Sequence, residues 1–469
     1  MTPLWTSAEA DTATKGNSTR PWQASGVSID SRSIERGDLF VALAGPRLDG
    51  HDFLADAKAH GASAAMVHRR PPGRDNELPL LIVDDTMVAL DDLGAAARKR
   101  SGARIVAITG SVGKTGTKNA LRQALEPLGV THASAGSLNN QWGVPLSLAR
   151  MRQDSRFGVF ELGMNHEGEI AALARLVRPA VALITTIEPA HLGHFPSVAA
   201  IADAKAELFF GMEPNGIAVL NRDNEWYGRL ELMARTAGLA RILGFGTHPE
   251  ATIRLLACDL EATASAVSVA IAGETIQYCI GLPGRHWVMN SLGVLGVVRA
   301  LGGDVVAAAS AFAHMTAMEG RGRRHGIALP DGEAELIDES YNASPASVRA
   351  AIAVLGACRP GPRGRRIAIL GDMLELGDRS AAFHAALVEP LRDAGIDLVF
   401  TVGEHMLALD RALPAKMRGG HEANAAALAQ HLKPLLRAGD IVSVKGSHGI
   451  AMHEIVAQLT SAPACAAKS

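Results

Sequence analysis

The run Ile105-Val106-Ala107-Ile108-Thr109-Gly110-Ser111-Val112-Gly113-Lys114-Thr115-Gly116-Thr117-Lys118 sets an apolar, β-branched stretch against a glycine turn, a lysine and a hydroxyl residue. A phosphate-binding loop needs that order. Its glycines let backbone N–H groups approach phosphate oxygens, and the helix that follows adds its dipole. Lys114 has the reach for terminal phosphates, and the Thr115 hydroxyl suits Mg²⁺. Ile108 stands where the strict motif has glycine, so the loop is a shortened variant.

Other residues with chemistry fall at the ends of apolar runs. Glu161 closes Phe157–Phe160. In doubly wound sheets ligands sit at carboxyl strand ends, so Glu161 can face the crevice of Lys114 and ligate metal, or simply meet solvent. Val181–Ile187 leads to His191 and His194. No Glu-x-x-His or cysteine accompanies them, which argues against zinc and leaves magnesium or a structural role. Lys205, between Ala204 and Ala206 in the helical stretch Ser197–Phe210, reads from the residues alone as an exposed helix lysine.

Asn290 lies one turn beyond His286, and its amide can both donate and accept, which suits an adenine edge or a helix-entry cap. Arg321 sits between glycines, with Arg323 and Arg324 close by. Its fixed charge suits a γ-phosphate across a cleft, the alternative being a solvated basic loop. Asp338, Glu339, Tyr341 and Asn342 end another strand-like run, and Lys445 ends the last, where it can meet an anionic substrate or serve an ordinary turn.

The elements that must position these groups alternate. Strands are predicted at 105–109, 157–161, 181–187 and 216–221, with helices at 115–127, 167–176 and 197–210. This is the pattern of a mostly parallel sheet covered on both faces. Ala266–Ala270 and Thr275–Cys279, joined at Gly273, predict an antiparallel excursion. Glu319–Gly326 breaks the pattern, and a second α/β series follows, with strands near 334–338, 366–370, 397–402 and 440–444. Residues 25–100 mix short strands with a helix at 86–101; residues 1–24 are polar and expected to be loosely ordered. Pro71–Asn76 is a surface loop by its turn chemistry. The fold class is α/β in three domains: 1–103, small and mixed; 104–320, a mononucleotide-binding parallel sheet; and 321–469, Rossmann-like.

Composition bounds the rest. At 469 residues, three domains of ~150 residues fit. A net charge of −2 gives no electrostatic case for nucleic acid. No apolar stretch approaches the ~20 residues of a membrane span. Cys258, Cys279, Cys358 and Cys465 lack paired spacing and read as reduced thiols, so a cytoplasmic protein is expected.

Together these segments resemble the Mur ligases, the ATP-dependent amide-bond formers of peptidoglycan precursor synthesis. Ser31-Arg32, Gly37–Phe40 and Asp49-Gly50-His51 look like the family's UDP-substrate domain. Thr109–Lys118, Ser137-Leu138-Asn139-Asn140, Glu161–Gly168 and Ala190-His191-Leu192 look like its ATPase domain. Gly320-Arg321, Tyr341-Asn342, Gly371–Gly377 and Val444-Lys445-Gly446-Ser447 look like its C-terminal part. The Tyr341-Asn342 and Gly371–Gly377 stretches point within the family to ligation of D-Ala-D-Ala onto UDP-MurNAc-tripeptide. The resemblance implies a monomer that binds ATP over Thr109–Gly116, with Thr115, Glu161 and His191 serving two Mg²⁺ ions. It implies a carbamylated Lys205, Asn290 at adenine, Arg321 at phosphate, and Asp338 or Glu339 near the ribose. It implies that Ser31, Arg32, Asp49, His51, Asn139, Asn140, Tyr341, Asn342 and Lys445 bind the other substrates. Trp287, Glu339, Ser344 and His448 depart from the family pattern. A sister ligase with another amino-acid substrate and a P-loop regulatory NTPase are the alternatives.

Overall fold

The computed structural model describes residues 3–45, 47–70 and 78–461, so the expected Pro71–Asn76 loop and Cys465 lie outside the described residues. The strand Arg104–Thr109 is the pivot of a nine-stranded sheet. It is flanked in parallel by Phe157–Glu161 and Val181–Ile184. Ile217–Asn221 and Arg241–Gly246 continue the parallel array. Ile105 and Ala107 face one apolar core, while Val106 and Ile108 face the other. Burial on both faces is why this strand reads as a continuous apolar run rather than an alternating one. The expected antiparallel excursion forms, with Ser265–Ile271 paired to Glu274–Ile280. Ala272 at φ 55° and Gly273 at φ 87° make its two-residue turn.

A six-stranded sheet follows. Gly332–Glu339, Ile441–Lys445, Arg366–Gly371, Leu398–Val402 and Arg418–Glu422 run parallel in that order. Arg323–Leu329 closes one edge antiparallel to Gly332–Glu339, where the sequence reads as a break in pattern. Charged residues on an edge strand hide its period, and they also discourage edge-to-edge pairing. Between the strands Arg366–Gly371 and Leu398–Val402 the chain forms two short helices, Ser380–Ala385 and Val388–Asp393. The N-terminal five-stranded sheet is parallel over Gly26–Ser28, Asp38–Val41, Ala64–Val67 and Leu80–Ile82.

Residues 3–24 correct the expectation of loose order. Thr6 and Glu9 form a capping box on the helix Ser7–Thr14. Trp5 is 1% exposed, and its Nε1 donates to Ala149 O at 2.8 Å. Arg100 stacks on the same indole. Two buried tryptophans, Trp5 and Trp22, order a segment whose average polarity suggests otherwise. Arg98 adds a second tie to the central domain, donating to Val177 O at the end of the helix Glu169–Val177 at 2.8 Å. Among the described residues no helix is long and apolar enough to cross a membrane.

Candidate active site

The phosphate loop forms at the carboxyl end of the pivot strand. Gly110 at φ 145° and Gly113 at φ 84° adopt backbone open essentially to glycine. A Cβ on Gly110 would stand 1.9 Å from Thr185 Oγ1, and one on Gly113 would stand 2.9 Å from Asn290 Oδ1. The loop is therefore wedged between the next strand end and the helix Arg285–Ala300. Thr185 Oγ1 donates to Val112 O at 2.6 Å, and Ser111 Oγ donates to Glu188 O at 3.0 Å. Gly113 caps the helix Lys114–Leu125 without using its side of the turn for a side-chain bond, so the first-turn N–H groups stay available to an anion.

Charge in the crevice is lopsided. Glu161 is 1% exposed and is shared. Its Oε2 accepts from Thr115 Oγ1 at 2.8 Å and its Oε1 from Asn139 Nδ2 at 2.7 Å. Lys118 Nζ lies 3.8 Å from the same carboxylate. Lys114 Nζ donates to Gly110 O at 2.8 Å. Burial pulls the Lys114 ammonium below its ordinary range, Glu161 pushes back, and Arg321 reinforces the drop. Lys118 is depressed for the same reasons. Lys205 is 2% exposed, which corrects its reading as an exposed helix lysine. Burial lowers it well below the lysine range, and the Lys114 charge lowers it further. Small Ala204 and Ala206 let that helix sink into the core, which the sequence registers only as neutral composition.

The C-terminal sheet approaches this crevice at two places. The Arg321 guanidinium stacks on the Tyr341 ring at 4.1 Å, and Tyr341 Oη donates to Ser137 Oγ at 2.9 Å. His191 Nδ1 lies 2.5 Å from Glu375 Oε2, and Gly193 N donates to Glu375 O at 2.8 Å. The hydrogen bond from His191 holds the Glu375 carboxyl below its usual range.

Strand-end placement, a glycine cradle and an arginine reaching from a second sheet are features that known proteins can now be set against. Residues 23–114 match the family model "Mur ligase family, catalytic domain". Residues 108–298 match "Mur ligase middle domain", and 322–448 match "Mur ligase, glutamate ligase domain". A UDP-N-acetylmuramoyl-tripeptide–D-alanyl-D-alanine ligase of Escherichia coli is 37% identical over 94% of this chain and 94% of its own length. Its counterpart in Rickettsia prowazekii is 34% identical over 92% and 94%. The chain belongs to the Mur ligase family. A crystal structure of MurF from Acinetobacter baumannii superposes with a TM-score of 0.83 at 29% identity, covering 97% of this chain and 98% of that one. MurF from Thermotoga maritima, solved in complex with ADP, gives 0.74 at 25% identity, covering 93% and 97%.

This Mur ligase gathers most of its sequence-predicted groups around the crevice: Thr109–Gly116, Asn139, Glu161, Lys205, Asn290 and Arg321. His191 joins the rim through Glu375. A second group lies on the C-terminal sheet, where buried Lys445 donates to Asn342 O at 3.0 Å and pairs with Glu339 at 3.3 Å. Asp338 bonds the linker that carries Arg321, its Oδ2 accepting from Gly320 N at 2.9 Å and its Oδ1 from Ser340 N at 3.0 Å. Asn140 Oδ1 accepts from Gly143 N, the first residue of the next helix, at 3.0 Å. Ser31, Arg32, Asp49 and His51 stand apart in the N-terminal domain. There Asp49 accepts from His51 N at 3.0 Å and pairs with Arg69 at 2.8 Å, while Arg32 pairs with Asp30 at 2.7 Å. Trp287, off the family pattern, lies over the phosphate-loop helix, its ring 2.6 Å from where a Gly116 Cβ would stand.

Sequence reasoning gave Lys118, Thr185 and Glu375 no role. Lys118 carried a signal, one helical turn beyond Lys114. Glu375 lay within the family-like Gly371–Gly377 stretch, which named no role for its carboxylate, and Thr185 carried no signal, because each acts on a partner remote in the chain.

Proposed function

We propose that this Mur ligase joins D-alanyl-D-alanine to UDP-N-acetylmuramoyl-tripeptide, using ATP, in peptidoglycan precursor synthesis. The observation that carries it is the charge of the crevice. Lys114 and Lys118 face one carboxylate, Glu161, while Arg321 adds its charge to both lysines and Lys205 adds its own to Lys114, beside the open first turn of the phosphate-loop helix. Such a site is incomplete without a polyanion, and a triphosphate supplies one.

In the reaction the tripeptide carboxylate attacks the γ-phosphorus of ATP, ADP leaves, and an acyl phosphate forms. The free amine of D-Ala-D-Ala attacks the acyl carbon and expels phosphate. Charge builds on the transferring oxygens, and Lys114 and Arg321 are placed to neutralise it in a site withdrawn from water. Thr115, Glu161 and His191 offer a hydroxyl, a carboxylate and an imidazole, a donor set that fits two Mg²⁺ ions once Lys205 carries a carbamate. Bound there, the ions would screen phosphate charge. Uncarbamylated, Lys205 is a buried amine with depressed basicity, the form that reacts with CO₂. Asn290 is assigned to adenine. Asp338 is assigned to the ribose, since Oδ2 keeps a lone pair beyond its bond from Gly320 N and Oδ1 one beyond its bond from Ser340 N.

The UDP group belongs to Ser31, Arg32, Asp49 and His51. The tripeptide and D-Ala-D-Ala belong to Asn139, Asn140, Tyr341, Asn342 and Lys445. We draw the domains at 1–103, 104–320 and 321–469. Every assigned group comes from one chain, so a monomer suffices. The free thiols Cys258, Cys279 and Cys358 suit the cytoplasm.

The test is ADP release with and without D-Ala-D-Ala, using UDP-tripeptides ending in lysine and in diaminopimelate. Turnover should require both substrates and yield the UDP-pentapeptide. Rapid ATP hydrolysis independent of both would refute the assignment.

A further inference from the structure

The loop Asp372–Leu376 is held bond by bond. Asp372 O accepts from Ser447 N at 3.0 Å, and Leu374 N donates to Ser447 Oγ at 2.9 Å. The Asp372 carboxylate accepts from Met406 N at 2.8 Å and from His405 N at 3.2 Å. Met373 N donates to His384 Nε2 at 2.9 Å. Glu375 then turns through φ 63° and reaches the 191–193 turn of the central domain with both its carboxylate and its carbonyl.

His384 has no part in the chemistry described above, yet it is fully buried at 0% exposure. Its Nδ1 lies 2.7 Å from Ser380 O. A carbonyl only accepts, so Nδ1 carries the proton. That leaves Nε2 as a bare lone pair, the one form able to accept from Met373 N–H. Burial, the larger influence, and the nearby His405 hold the imidazole below its ordinary range, while the Ser380 carbonyl and Asp372 oppose them.

The structure assigns His384 as a positioning residue for ligation: its Nε2 fixes the backbone of Met373, and thereby presents Glu375 to His191 across the domain boundary. It acts through Glu375 and touches no substrate. The inference deepens the proposed ligase site and rests on that reading.

The test uses the full chain and begins with wild type. Failure of wild type to ligate D-Ala-D-Ala would sink the ligase reading; with wild-type ligation in hand, the variants decide the role of His384. A glutamine amide reaches the place of Nε2, whereas an asparagine amide reaches only the place of Nδ1. His384→Gln should therefore keep more than half of kcat. His384→Asn, and His384→Leu, should lose ~10-fold in kcat, about the worth of one buried hydrogen bond, with affinity for UDP-tripeptide unchanged. In a Glu375→Gln background the further loss from His384→Asn should shrink to less than twofold. Equal losses for glutamine and asparagine, or the same ~10-fold loss with and without Glu375, would overturn the assignment. Both amides are polar and of near-imidazole size, so the comparison survives even if His384→Leu fails to fold.

Discussion

Glu375 Oε2 and His191 Nδ1 meet at 2.5 Å across 184 residues of chain, joining the C-terminal sheet to the turn that follows a central strand. Both residues hold left-handed backbone, His191 at φ 59° and Glu375 at φ 63°. Each such conformation costs a non-glycine residue about 1 kcal/mol or more, so the surrounding bonds must impose it. The contact is half-exposed, so it adds little to the stability of the fold; its expected effect is on the placement of His191. Glu375→Gln should lower kcat by ~3–10-fold, with little change in melting temperature. Steady-state kinetics beside thermal melts check this. A kcat equal to wild type would show that the contact does not serve the reaction.

Lys114 Nζ bonds Gly110 O at 2.8 Å inside the loop proposed to hold the ATP phosphates. Lys114→Ala should cost well over ~10²-fold in kcat, in keeping with ~3–4 kcal/mol for one lost donor in a withdrawn site. Circular dichroism should match wild type. Near-normal turnover would mean that the loop is structural.

The central sheet was legible because its signals are local. Apolar runs end in glycine, carboxylate or histidine at Gly110, Glu161 and His191, and the alternation of strands with helices fixes their common edge. Lys205 was misread from residues alone because alanine neighbours are silent about burial; only the helix's seat against Leu208, Phe209 and the sheet withdraws it from water. The N-terminal strap was missed because two tryptophans outweigh many polar residues. The His191–Glu375 contact could not be seen at all, since its partners belong to different domains and neither motif names the other.

His132 offers a test of burial by pH. Its Nε2 is buried without a partner, and burial lowers its pKa to about 4. The unfolded chain binds its proton near the ordinary ~6.5. Between those values the unfolded state holds more protons, so this contribution is complete above ~6.5 and is lost as pH falls toward 4. Asp91, raised to about 6, acts in the opposite sense and strengthens the fold on acidification. Comparing wild type with His132→Phe cancels Asp91. In urea melts the variant should gain about 2 kcal/mol on wild type between pH 7.5 and pH 5. A pH-independent difference would show that the folded protein accepts the His132 proton freely.

Lys205 makes the sharpest demand on the crevice. An ammonium beside Lys114 would repel any metal held by Thr115 and Glu161, and it has no carboxylate of its own to pair with among the described residues. Burial and the Lys114 charge favour its neutral amine instead. Addition of CO₂ to that amine forms an N–C bond and releases a proton, turning a misplaced cation into an anion with two oxygen donors. Those oxygens would balance Lys114 and Lys118 and complete an oxygen-rich site for Mg²⁺. Protein equilibrated with ¹³C-bicarbonate should show one carbamate carbon resonance that is absent from Lys205→Ala. The variant should lose most of its activity, by ~10²-fold or more, and short carboxylates such as acetate should restore part of it. Substitution by glutamate should recover more than alanine does, since it returns a carboxylate, though on a shorter stem. An unmodified amine in the active enzyme, or full activity in Lys205→Ala, would remove Lys205 from the metal site and leave Glu161 as its only anion.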